Sequence, residues 1–309
     1  MSIARSLLLA ASRNRWLAER FMRMSFARRA VKRFMPGEEL SDALAAARVL
    51  AQDKIGVTIT RLGESLTGES QADAVRDHYL STFDVIKREG LPVVISVKPT
   101  QLGLDLSFDL CLAHVEALAA RAVATGSQLC IDMEGSGYVD RTLDLYRRVK
   151  KQYDPVSVCV QSYLRRTAQD IESLMEVKPI IRVVKGAYAE PPHIAFQSRQ
   201  EVDRSFVTIS ERLLDAATRG EATPVLGTHD LTIVQHLLAR ASQLKLPRST
   251  CEIHMLYGIR SAEQRRLAAE GYAVRCLISY GEKWFPWYMR RLAERPANVG
   301  FMMRSMFTR

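Results

Sequence analysis

Eight times along this chain of 309 residues, a short apolar, β-branched run gives way to a longer stretch with helical periodicity, and nothing else in the sequence limits the fold as strongly. The strand-like runs fall at 56–61 (GVTITR), 92–98 (PVVISVK), 128–133 (QLCIDM), 157–161 (SVCVQ), 180–184 (IIRVV), 224–227 (PVLG), 251–256 (CEIHML) and 273–278 (AVRCLI). Helical patterns fill the gaps, among them 71–88, 108–124, 204–219, 231–241 and 262–269. Strands joined through helices must run parallel, because each crossover returns the chain to the same end of the sheet. Eight such units in roughly 240 residues predict a closed (βα)8 TIM-type barrel. An open, doubly wound sheet ordinarily carries G-x-G-x-x-G after its first strand, and that motif is absent here.

Residues 1–55 read as an N-terminal helical extension. Stretch 43–51 is rich in Ala and Leu and follows the cap candidates Ser41 and Asp42, with Pro36-Gly37 as punctuation before it. The expected division is a helical arm over 1–55 and the barrel over 56–309. The net charge of +10 is concentrated in the arm: residues 1–35 hold nine Lys or Arg against Glu19 alone, which leaves the rest nearly neutral. Arginines interleaved with Leu, Trp, Phe and Met suit a peripheral contact with an anionic membrane, or a helix packed on the barrel with its charges in solvent. The arm carries no base-reading motif, so nucleic acid is not an expected partner. Cys111, Cys130, Cys159, Cys251 and Cys276 form no C-x-x-C pair and are expected as reduced core residues. No apolar run approaches the ~18 residues of a membrane span, and the expected compartment is the cytoplasm, with any membrane contact peripheral, on the inner face.

A barrel of this type carries its chemistry at the C-terminal ends of its strands. Those ends offer Arg61 and Glu64, then Lys98, Thr100 and Gln101, then Asp132 and Glu134, then Gln161 and Tyr163. The later ones offer Arg182, Lys185 and Tyr188, then Thr228, His229 and Asp230, then His254, Leu256 and Tyr257, then Tyr280. Taken singly, each has two readings. Lys98 or Lys185 suits a Schiff-base nucleophile or a ligand for carboxylate or phosphate. Asp132 suits a general base or an ion-pair partner that positions one. His229 has no second His or carboxylate at metal spacing beside it, so no metal is expected. Arg290 and Arg291 can grip a carboxylate from two sides, or lie on a solvated helix face with Glu294.

The segments SVKPTQLGL (96–104), IDMEGS (131–136), QSYLRRT (161–167), RVVKGAY (182–188), THD (228–230) and WYMRRLAERPANV (287–299) together resemble the proline dehydrogenase family, in its small single-function bacterial form. The resemblance runs from about residue 34 to 304 and keeps the family's order. It implies a (βα)8 barrel that holds FAD without a Rossmann motif, oxidises L-proline to Δ1-pyrroline-5-carboxylate by hydride transfer from C5 to flavin N5, and passes electrons to a membrane quinone. Carried over by position, it assigns Arg182, Val184, Lys185, Gly186, Ala187, Gln161, Thr228, His229 and Glu294 to the flavin. It assigns Lys98, Arg290 and Arg291 to the substrate carboxylate, and Asp132, Tyr188 and Leu256 to the rest of the pocket. One position departs from the pattern. Thirteen residues before Arg290, where the small bacterial members usually carry a tyrosine against the substrate ring, this chain has Leu277. A smaller wall without a hydroxyl implies room for 4-hydroxyproline or another substituted cyclic amine.

Overall fold

The computed structural model describes residues 31–63, 66–285 and 287–289. After α1 (Leu40–Gln52) the order is β1 (Gly56–Arg61), α2 (Glu69–Glu89), β2 (Val93–Val97), α3 (Phe108–Thr125), β3 (Gln128–Ile131), α4 (Val139–Lys150), β4 (Val156–Gln161) and α5 (Thr167–Leu174). Then follow β5 (Ile180–Val184), α6 (Arg199–Ala217), β6 (Thr223–Gly227), α7 (Leu231–Gln243), β7 (Glu252–Leu256), α8 (Ser261–Ala269) and β8 (Val274–Tyr280). The eight strands close into one parallel barrel in sequence order, with β8 paired back to β1 from Gly56↔Arg275 to Arg61↔Tyr280.

Four helices start earlier than the sequence expectation, α8 by one residue and α2 by two, and α1 and α6 by more, for local reasons. α1 begins before Ser41, because the Asp42 side chain reaches back and accepts the Glu39 amide at 3.1 Å. α6 begins five residues before the apolar periodicity does. Its polar first turn is held by a capping box in which Ser198 Oγ accepts the Glu201 amide (3.2 Å) and Glu201 accepts the Ser198 amide (3.3 Å).

Alternation along each strand divides the side chains. Val57, Ile59, Ile95, Val97, Ile131, Ile181, Val183, Leu226, Ile253 and Ile278 join the helices in the main apolar core. The intervening residues, among them Thr58, Thr60, Ser96, Arg182, Glu252, His254 and Arg275, point into the barrel, so its interior is polar. All five cysteines are buried and unbridged.

The N-terminal end of the barrel is closed by charge. Arg275 grips Glu252 with two hydrogen bonds (3.0 and 3.2 Å) and donates to the carbonyls of Val57 and Pro92. His254 Nε2 donates to Glu252 at 2.8 Å. His254 therefore faces this floor, not the strand-end mouth where the sequence placed it. Burial drives the His254 pKa down to about 4, more strongly than Glu252 raises it. Between pH 6.5 and about 4 the unfolded chain binds a proton that the folded chain refuses, so stability falls as pH is lowered through this window. The 10% exposed side chain is expected to contribute about 2–3 kcal/mol of that loss. Urea midpoints at pH 7.5 and 5.0 should converge in His254→Gln; equal differences in both proteins would refute this.

Part of the N-terminal segment packs on the barrel: Val31, Phe34 and Met35 are buried, and Trp284 Nε1 donates to Glu38 at 2.8 Å. The chain crosses so close to the loop after β7 that a Cβ on Gly258 (φ +73°) would lie 1.6 Å from the Arg33 carbonyl oxygen. The arm before residue 31 lies outside the described residues. No helix among the described residues is long and apolar enough to cross a membrane.

Candidate active site

Three side chains from three strands meet at the mouth. Asp132 follows β3 directly and extends its ladder by donating its amide to the Val97 carbonyl at 2.8 Å. Its carboxylate accepts from Ser96 Oγ (2.7 Å), from Lys98 Nζ (2.7 Å) and from Arg182 Nη2. Burial alone would raise the Asp132 pKa, but Lys98 and Arg182 outweigh it and hold the carboxyl at about 2. Burial likewise disfavours the Lys98 ammonium, yet Asp132 overcomes it and the lysine pKa rises above its ordinary value. Asp132 is thus ionised and fully engaged, which makes it a positioning anion and not a proton acceptor at neutral pH. With two cations against one anion, the cluster carries a net charge of +1.

Arg182 is 4% exposed, and its Nε and Nη1 have no hydrogen-bond partner among the described residues. Gln161, at the end of β4, donates from Nε2 to the Met133 carbonyl at 3.4 Å, while its buried Oε1 is likewise unpartnered. Such atoms are costly unless a ligand or water completes them.

Beyond Val184 the chain runs through Lys185, Gly186, Ala187 and Tyr188, all half-buried. Lys185 stands in a separate cluster, paired with Asp203 and with Asp230 (3.3 Å), and Arg199 joins the same carboxylates. Buried Thr228 accepts the Asp230 amide through Oγ1 at 3.2 Å. His229 Nε2 accepts the Leu256 amide at 2.8 Å, so the neutral ring carries its proton on Nδ1 and positions the end of β7. Leu256 pairs in register with Leu277, and Leu277 with Thr58, placing both half-buried leucines on the inner face. Arg290, Arg291, Glu294 and Glu64 lie outside the described residues.

The family model for proline dehydrogenase matches residues 43–304. Proline dehydrogenase 1 of Bacillus subtilis (strain 168) is 34% identical over 302 residues, 98% of each chain. The chain belongs to the proline dehydrogenase family. Proline dehydrogenase of Deinococcus radiodurans is 32% identical over 280 residues, with 89% of each chain covered. Among solved structures, proline utilization A from Bdellovibrio bacteriovorus, inactivated by N-propargylglycine, superposes with a TM-score of 0.82 at 22% identity. It covers 94% of this chain but 36% of its own. The Corynebacterium freiburgense protein gives 0.76 at 17% identity, covering 97% of this chain and 34% of its own. At these identities the two structures share the fold, and this chain spans about a third of their length.

The mouth of this proline dehydrogenase fold also contains a supporting residue outside the set that family likeness points to. Glu134 accepts the Thr100 amide (3.0 Å) and hydroxyl (2.7 Å), fixing the short 3-10 turn Pro99–Leu102 that follows Lys98. Burial pushes its pKa up despite those two hydrogen bonds. Its spacing, two residues after Asp132, was the available sequence signal.

Proposed function

We propose that this family member is an FAD-dependent dehydrogenase that oxidises L-proline to Δ1-pyrroline-5-carboxylate and passes the electrons to a quinone. The observation that carries the reading is the buried Arg182 guanidinium, tethered to Asp132 beside Lys98, with two buried nitrogens that no described group partners.

The residues suit a flavin. Its ring edge is rich in acceptors and its diphosphate is anionic, and the mouth offers Arg182, the amide of Gln161, the ammonium of Lys185 and the hydroxyl of Thr228. Val184, Gly186, Ala187, His229 and Glu294 are the remaining positions assigned to it by family likeness. When bound, FAD supplies the two-electron acceptor for the hydride that leaves proline C5. The chain's own groups bind and orient. Lys98, kept protonated by Asp132, attracts the substrate carboxylate, and Arg290 and Arg291 are its assigned companions. Leu256, Leu277 and Tyr188 wall the ring and exclude water, which strengthens each charge contact. No group in the Lys98–Asp132–Arg182 cluster accepts a proton at neutral pH, so the substrate amine loses its proton before reaction, and the rate rises with pH.

Leu277 supports a second reading within the same chemistry. On the inner face beside Leu256, it presents an aliphatic surface where a tyrosine would fill more space, consistent with 4-hydroxyproline or another substituted ring. A lysine-dependent lyase is disfavoured, because its nucleophile must be neutral and free, whereas Lys98 is held charged and Lys185 is tied to Asp203 and Asp230.

Anaerobic absorbance spectra test both readings. The expected result is flavin bands that L-proline bleaches. Bleaching by 4-hydroxy-L-proline alone would favour the second reading; no flavin after reconstitution with FAD would refute both. A peripheral membrane contact through the basic arm fits a quinone acceptor, and loss of liposome binding on deleting residues 1–30 would support it.

A further inference from the structure

We infer that Glu190 is a positioning residue that latches the loop after β5 to the loop after β3 at the barrel rim and so sets the pocket wall made by Tyr188. The inference rests on the functional reading above for the identity of the substrate.

The loop between β5 and α6 is long, and it is pinned at both ends to the loop after β4. The Tyr163 amide donates to the Lys185 carbonyl at 3.0 Å. Further on, the Arg165 amide donates to the Ile194 carbonyl (3.0 Å), the Phe196 amide donates to the Tyr163 carbonyl (2.8 Å), and Leu164 bridges Ala195. The Arg165 guanidinium lies over the Phe196 ring. Between these anchors, the span 187–193 carries Tyr188, which lies within electrostatic reach of Lys98.

Glu190 ties this span to the far side of β4. One carboxylate oxygen accepts the Ser136 amide at 2.8 Å, and the other accepts Ser136 Oγ at 2.7 Å. Ser136 opens a short 3-10 turn that leads into α4, so the carboxylate also meets the amide end of that helical segment. Ser136 stands four residues after Asp132, and Glu190 two after Tyr188. A single side chain therefore couples the strand end that holds Lys98 and Arg182 to the span that walls the pocket. Two hydrogen bonds to a carboxylate, half-buried at both partners, are strong enough to order a short span. A wall displaced by a fraction of an ångström is felt first in substrate binding.

The test compares holoenzymes carrying Glu190→Ala, Glu190→Gln, Ser136→Ala and the double alanine variant. Two readouts are used: KM and kcat for L-proline with a dye acceptor, and amide hydrogen exchange over 187–193. Glu190→Ala is expected to raise KM about tenfold, to change kcat less than about threefold, and to speed exchange of the span about tenfold. Glu190→Gln should stay within about twofold of wild type in both, because its amide still accepts from the Ser136 N–H and donates to Oγ. The double variant should be no worse than Glu190→Ala alone, as expected for two ends of one contact. Unchanged KM in Glu190→Ala overturns the inference, even if exchange accelerates. So does a Glu190→Gln enzyme as impaired as Glu190→Ala, since that would assign the effect to charge. A wild-type holoenzyme inert toward proline refutes the substrate reading instead. Exchange then decides the latch by itself, and an unchanged rate in Glu190→Ala overturns it.

Discussion

Asp132→Asn is expected to destabilise the protein by about 3–5 kcal/mol and to lower kcat/KM for L-proline about a hundredfold or more. The charge pattern gives the reason. Lys98 and Arg182 share this one carboxylate, and asparagine leaves two cations facing each other in a poorly solvated cavity. The amide also turns a donor toward groups that are themselves donors. Urea unfolding and steady-state kinetics measure the two effects, and Asp132→Asn/Lys98→Met separates them. Removing Lys98 relieves the repulsion, so stability should partly return, whereas activity should not, because the cation proposed to bind the substrate carboxylate is gone. Wild-type stability in Asp132→Asn would show that both cations are well solvated, and would remove the basis for a tightly coupled cluster.

Gly186→Ala carries the second large effect. Gly186 has φ +106°, where a side chain adds about 1–2 kcal/mol of strain. Its Cβ would also lie 2.2 Å from Cδ1 of the Tyr163 ring. The ring has little freedom to retreat, since Tyr163 is buried and its backbone is bonded on both sides to the loop that contains Gly186. The expected loss is about 3 kcal/mol or more, with retention of the proposed flavin falling as the span through Tyr188 is displaced. In a Tyr163→Ala background the same substitution should cost only the backbone strain, about 1–2 kcal/mol. Equal costs in the two backgrounds would show that the ring contact is not the cause.

Both predictions use contacts between residues far apart in sequence, and here legibility in the sequence divides. The barrel was readable, because alternation of strand and helix patterns is a local property and eight parallel strands have few ways to close. Strands 56–61 and 180–184 were located to the residue. α6 was placed late, because a capping box and a charged first turn carry no apolar period. The crowding of polar residues at strand ends was equally visible, and so were the motifs that place the chain in its family.

Which of those residues meet depends on strand register and on the closing of the sheet. His254 illustrates the point: a polar residue inside a strand can face the mouth or the floor, and only its hydrogen bond to Glu252, which Arg275 also grips, decides for the floor. Lys98 and Lys185 looked alike as lysines after strands. The structure commits the first to Asp132, a carboxylate it shares with Arg182, inside the barrel, and the second to Asp203 and Asp230. Glu190 offered no signal, because its partner Ser136 is 54 residues away and belongs to another loop. The sequence by itself determined the architecture, the family and the polar character of the mouth, since these follow from local periodicity and motif order. Tertiary structure alone decided which charges pair, which atoms stay unpartnered and which loops are joined, because those depend on distances set only once the barrel closes.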